Sequence, residues 1–260
     1  MQEAVYPGAS SLYLDMSRFL DHRALQARLQ EIVELNRAYK ALYGRAYALL
    51  AAGTALLPRN ETGLWGSAEE EKLAKKAAGI AARELPRQNR TPRTKHRFLS
   101  AVSCLGRVSF ADDLQGRIYV LDNAFGLGSA LLAHLASLAE ERGYDTILCH
   151  DPLEPEKLEA VLVPEAGLSF LAVEPSETLI AEPYRHLRLD ALVDKSVLTS
   201  RRAELRRSRR DSALLLDHAT ETLARAKTLH DALEAVYRPC VDFAGTDALA
   251  EEQISLLLKK

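Results

Sequence analysis

The chain has 260 residues, a formal net charge of −2 and 27% charged side chains, a composition that suits one large or two small globular domains. No apolar run approaches the roughly 18 residues of a membrane span. The first ten residues lack a basic-then-apolar export pattern, so a cytoplasmic protein with no membrane attachment is expected. Cys104, Cys149 and Cys240 lie far apart in no C-x-x-C spacing and read as reduced structural thiols.

In chain order, residues 21–57 read as a helix. Leu25, Leu29, Ile32, Asn36, Tyr39, Tyr43, Ala46 and Leu50 follow alternating steps of four and three, which presents one seam to a partner helix. Asp21 is the expected N-cap and Pro58 the stop. A second helix is predicted at 67–85, then a basic, proline-containing connector at 86–95. Beyond it the texture changes. Short β-type runs are predicted at 107–110, 117–122, 146–150, 160–163 and 168–173, with a helix at 127–142. Strands alternating with a helix imply an α/β domain with a mainly parallel sheet. A long helix at 199–237 carries Leu216, Ala219, Leu223, Ala226 and Leu233 on one seam, and a short helix at 247–258 follows. The expected division is therefore 1–93, helical hairpin and linker; 94–198, α/β domain; 199–260, second helical hairpin. The middle region carries 9 basic and 16 acidic side chains, a poor setting for nucleic acid.

A weak internal repeat relates the two hairpins. Leu12-Tyr-Leu-Asp15 parallels Leu187-Arg-Leu-Asp190, and 46–56 parallels 219–229 with Leu50 over Leu223. On this reading the chain begins inside a first repeat that lacks its α/β half. An isolated helical pair buries too little surface to stand alone, so the seams should pack on each other, on a second copy or on another protein, with Asn36 buried to fix the register.

The segment Ile118-Tyr-Val-Leu-Asp-Asn-Ala-Phe-Gly-Leu-Gly-Ser-Ala-Leu-Leu132 runs strand, glycine turn, helix. That is the setting of a Walker A loop, where backbone amides wrap phosphates, Lys reaches the β/γ-phosphates and Ser/Thr holds magnesium. Gly126 and Gly128 stand at the last two glycines, but Asn123 replaces the first, Ser129 the Lys and Ala130 the Ser/Thr. Ala172 lies where a Walker B Asp is expected, and Glu174 shares its strand face. A tight strand-to-helix turn explains G-x-G equally well.

Further segments carry a family likeness: 94–110, Glu140-Glu-Arg-Gly-Tyr-Asp145, 150–159, Val163-Pro-Glu-Ala-Gly167 and 229–243. Together they resemble a family of bacterial tandem P-loop ATPase-like proteins that joins two NTPase halves in one chain. The likeness covers 94–243 as a second half and 6–85 as the tail of a first. It implies a P-loop NTPase-like fold with long helical hairpins. The replacements at 129, 130 and 172 take away the groups that stabilise phosphoryl transfer. The expected protein is a non-catalytic binding or regulatory one without a cofactor, whose partner is another protein or a second copy held through the hairpins. One alternative is an ATP-binding protein or ATPase that uses magnesium and works with a companion chain. Another is an adaptor for nucleic acid or acidic protein acting through Arg201, Arg202, Arg206, Arg207, Arg209 and Arg210. The competing reading of that cluster is a solvated helix start paired to Glu204 and Asp211; no aromatic residues interleave to stack on bases. His150, Asp151, Glu154, Glu156 and Glu159 form the densest polar cluster, at a strand end where ligands often bind, in no zinc spacing. His230 and Asp231 are placed at a helix-to-turn junction, in a hydrogen-bonding role.

Overall fold

The computed structural model describes residues 14–60, 63–174 and 182–258; Leu12 and Tyr13 of the repeat lie outside them. These residues divide into two compact units, 14–42 with 225–258, and 43–224. The first unit holds α1 (His22–Ala27), the start of α2 (Leu29–Ala55), the end of a long helix near the C-terminus, and a last helix. The second holds the rest: α3 (Ser67–Glu84), β1 (Thr94–Arg97), β2 (Ser100–Ser103), β3 (Gly106–Ser109), β4 (Arg117–Asp122), α4 (Leu127–Glu141), β5 (Thr146–His150), β6 (Leu158–Val163), β7 (Leu168–Val173), β8 (Arg185–Leu187), α5 (Lys195–Ser200) and most of α6 (Arg202–Tyr237). The last helix is α7 (Phe243–Leu258). No helix among the described residues is long and apolar enough to cross a membrane.

Six strands form one sheet in the order β1-β5-β6-β7-β4-β8. Pairing is parallel for β1–β5, β7–β4 and β4–β8 and antiparallel on both sides of β6, so β6 alone opposes the other five. The period of two along each strand sorts its side chains. Tyr119 and Leu121 of β4, Val161 and Val163 of β6, and Leu168 and Phe170 of β7 face a core shared with α3 and α4. Ile118, Val120, Ala160, Leu171 and Val173 face the other side, with Cys149, Leu99 and Leu114. The fold is therefore α/β with a mainly parallel sheet and long helices. Burial pushes the Cys149 thiol up to about 11, aided by Glu159.

The 117–122, 146–150 and 168–173 strands stand where the sequence places them. The 107–110 run lies at Gly106–Ser109 in a separate antiparallel hairpin with β2. The 86–95 connector is held rather than loose: Gln88 N donates to Arg142 O at 2.8 Å, Arg90 Nε to Gly143 O at 2.8 Å and Arg93 N to Asp145 Oδ1 at 2.7 Å. Its end continues into β1, paired to β5 from Thr94↔Thr146 onward.

Asp21 caps α1 as expected, accepting from Arg23 N and Ala24 N. The single 21–57 helix breaks at Arg28, whose guanidinium donates to Val236 O at 3.3 Å and Glu31 Oε2 at 3.0 Å. The 199–237 helix likewise starts earlier, at α5, because Asp194 accepts from Ser196 N at 2.7 Å. In the first unit, Ile32 packs with Leu233 and Val236, and Tyr39 meets His230 edge-on at 5.6 Å. In the second, Ser212 Oγ donates to Gly53 O at 2.7 Å, and a Cβ on Gly53 would lie 3.0 Å from Leu216. In the first unit α2 and α6 thus run antiparallel, and in the second they meet at Gly53 and Ser212. Asn36 is only half-buried, since the seam turns toward Leu35 and Tyr39, and the expected buried register residue is not found there.

Candidate functional site

β4 delivers the chain to the turn before α4, and the sheet fixes that turn. Asn123 N donates to Val173 O at 2.9 Å, extending the β4–β7 ladder by one residue. The turn then tightens: Gly126 adopts the left-handed conformation at φ 78°, and its N–H donates to Asn123 O at 3.2 Å. A Cβ at Gly128 would lie 3.0 Å from Asn123 Oδ1 and 3.1 Å from the Ala172 Cβ, so this glycine lets α4 approach β7. Asn123 is 3% exposed. Its Oδ1 accepts from Ser129 N at 3.1 Å and its Nδ2 donates to Glu174 Oε1 at 2.8 Å. An amide at this helix N-terminus, of the kind that would hold a phosphate, is thus taken by the loop's own side chain.

Above the loop sits a residue that the sequence did not single out. A Cβ on Gly126 would lie 3.0 Å from Arg59 O, which places the Arg59 backbone directly against the turn. The Arg59 Nη1 lies 3.0 Å from both Asp151 Oδ2 and Glu174 Oε1, and Nη2 lies 2.8 Å from Glu154 Oε2. The Glu154 approach is poorly aligned: Arg59 Nε and Nη2 and Glu154 Oε2 have no hydrogen-bond partner. The Arg59 side chain is 2% exposed. Burial opposes its charge, but Asp151, Glu174 and Glu154 outweigh that cost and raise its pKa above the ordinary arginine value. Lys157 adds an ion pair to Glu154 at 2.8 Å, and Trp65 Nε1 donates to Phe125 O at 2.8 Å, a second contact on the loop.

The residues expected from the sequence are partly gathered here. Asn123, Gly126, Gly128, Ser129 and Glu174 meet at one point, with Ala130 one position further along α4. Ala172 packs into the core between β7 and α4, while Glu174 turns to Asn123 and Arg59. The polar cluster after β5 is split. Asp151 and Glu154 belong to Arg59, and Glu159 accepts from Ser100 Oγ at 2.9 Å and Arg107 Nη2 at 2.8 Å. His150 turns instead to His96, ring nitrogens 2.8 Å apart, and to Pro155 O. No shared metal-ligand set forms from it among the described residues. His230 lies inside α6 rather than at its end, and with Asp231 and Glu234 offers ligand atoms within 4.8 Å of one another. Asp231 is paired with Lys227, and both acids are exposed.

The arginine cluster divides by helix face. Arg201 pairs with Glu204 at 3.0 Å and Arg210 with Asp211 at 3.4 Å. Arg202, Arg206 and Arg209, at i, i+4 and i+7, line one cleft of about 530 Å³ with Lys195 and Phe125. Arg209 sits 5.5 Å from the Phe125 ring centroid. Compared with protein-family models, curated proteins and solved structures, the chain finds no match in any of the three.

Proposed function

We propose that the chain is a P-loop NTPase-like protein whose nucleotide loop has become a structural joint, and that it acts by binding rather than by phosphoryl transfer. The observation that carries this reading is the occupancy of the loop by the protein itself. Asn123 Oδ1 takes the Ser129 amide, and Arg59 holds Glu174, the carboxylate two residues beyond the Walker B position. With no Lys at 129 and no hydroxyl at 130, the loop offers a triphosphate neither the cation nor the magnesium ligand that stabilises the transferring group. Magnesium at Glu174 would first have to displace a buried guanidinium.

The partner, in this reading, is another protein or a second copy of the chain. Leu29 and Val33 of α2, and Ile254 and Leu257 of α7, are more than two-fifths exposed apolar side chains on the helical unit. The test of the catalytic half is phosphate release from Mg-ATP and Mg-GTP by purified protein, expected at background. Turnover that Glu174→Gln abolishes would overturn the reading. Sedimentation across a concentration series tests the partner half, a mass of two chains being the outcome for self-association.

A further inference from the structure

The geometry points to a second site: the cleft between α5, α6 and the Phe125 turn binds a small ligand that carries two or more linked phosphate groups. Lys195, Arg202, Arg206 and Arg209 converge on this cleft above an apolar floor that includes Phe125 and Leu205. None of the four cations has a carboxylate within ion-pair distance among the described residues. Their neighbours Arg201 and Arg210, on the same helix, do have one. The difference is one of helix face, not of composition.

Three guanidinium groups and an ammonium around one concavity repel each other, and low-dielectric walls focus their field on the space between them. An anion in that space removes the repulsion. Arg202 to Arg209 spans about 10 Å along the helix axis, at 1.5 Å per residue. That row suits a chain of linked phosphates better than a single compact anion, and arginine forks match phosphate oxygens two at a time. The volume, about 530 Å³, is in the ordinary range for small-molecule sites. A nucleic-acid strand is the less favoured occupant. Phe125 is the one aromatic residue lining the cleft, and at 7% exposure it presents a floor, not a stacking platform.

The inference stands apart from the reading of the loop, because Phe125 is shared but Asn123, Ser129 and Glu174 do not line the cleft. Calorimetric titration of the full chain with sodium tripolyphosphate, without magnesium, tests it. The expected result is saturable binding of one equivalent, weakened on the order of tenfold or more by Arg206→Gln with Arg209→Gln. Arg207→Gln with Arg210→Gln, the same charge change outside the cleft, should leave it unaltered. Adenosine triphosphate in place of tripolyphosphate separates the sources: equal affinity assigns binding to phosphates alone, tighter binding adds a contribution from the ring. Absence of saturable binding overturns the site. So does equal weakening by the two double variants, or a single-stranded oligonucleotide that outcompetes tripolyphosphate in both. Circular dichroism melts of the variants separate loss of binding from loss of fold. None of these outcomes alters the phosphate-release result, so the two readings fail independently.

Discussion

Arg59 and Arg209 both touch the turn between β4 and α4, the first through Gly126 and the second through Phe125. Arg59 is buried among Asp151, Glu154 and Glu174, whereas Arg209 stands in an open cleft with other cations and no carboxylate partner among the described residues. One arginine completes the protein's own structure and the other awaits something from outside. Charge counts along the chain do not separate these cases. The six-arginine run draws the eye in sequence, while the single arginine at 59 is held by three carboxylates at once.

The comparison breaks most directly at Arg59. Arg59→Ala removes the cation shared by Asp151, Glu154 and Glu174 and leaves them only partly compensated by Lys157 and Asn123; removal of one partner from a buried ion network costs on the order of 3–5 kcal/mol. Denaturant unfolding should report that loss, and a loss under about 1 kcal/mol would mean the network is solvated and the contrast false. A smaller effect comes from another buried and paired charge, Glu84. Burial favours its neutral form, but Tyr119 Oη at 2.6 Å, Arg83 and Arg117 outweigh that and hold its pKa below the usual carboxylate value. A lowered folded pKa means its contribution is complete above about pH 5 and is lost as pH falls through the lowered value. The stability gap between the unaltered chain and Glu84→Gln should therefore be flat at neutral pH and close in acid. A gap that widens in acid would reverse the sign. The smallest effect belongs to the cleft. Arg206→Gln with Arg209→Gln should change stability by no more than about 1 kcal/mol, because both cations are exposed and the approach of Arg209 to the Phe125 ring is a weak contact. A large loss there would show that these arginines are structural after all.

How much of this was legible depends on how local the signal is. β4, β5 and β7 are apolar runs bounded by turn residues, and their limits follow from the sequence. β1 and β8 could not be read that way. Thr-Lys-His-Arg and Arg-His-Leu are short and largely exposed, and they become strands by pairing with β5 and β4 rather than by their own pattern. The loop residues Asn123, Gly126, Gly128, Ser129 and Glu174 were identifiable from strand-turn-helix spacing. The role of Asn123 as an internal cap was not, because it depends on the Ser129 amide pointing back at it. Arg59 gave no signal at all. It lies in a turn-rich stretch, and two of its carboxylates come from 92 and 115 residues away. The split of the arginine run was implicit in helical spacing, since 202, 206 and 209 share a face. What lay across from that face was not.

The buried thiol of β5 gives the sheet an internal clock. With its pKa pushed up to about 11, Cys149 is almost wholly protonated at neutral pH, and it is only 2% exposed. An alkylating reagent reaches it only in those moments when β5 parts from its neighbours and the sulfur meets water. In a chain with Cys104→Ser and Cys240→Ser, the rate of Cys149 modification becomes a count of sheet openings, and its fall on adding a ligand measures how tightly that ligand holds the closed form.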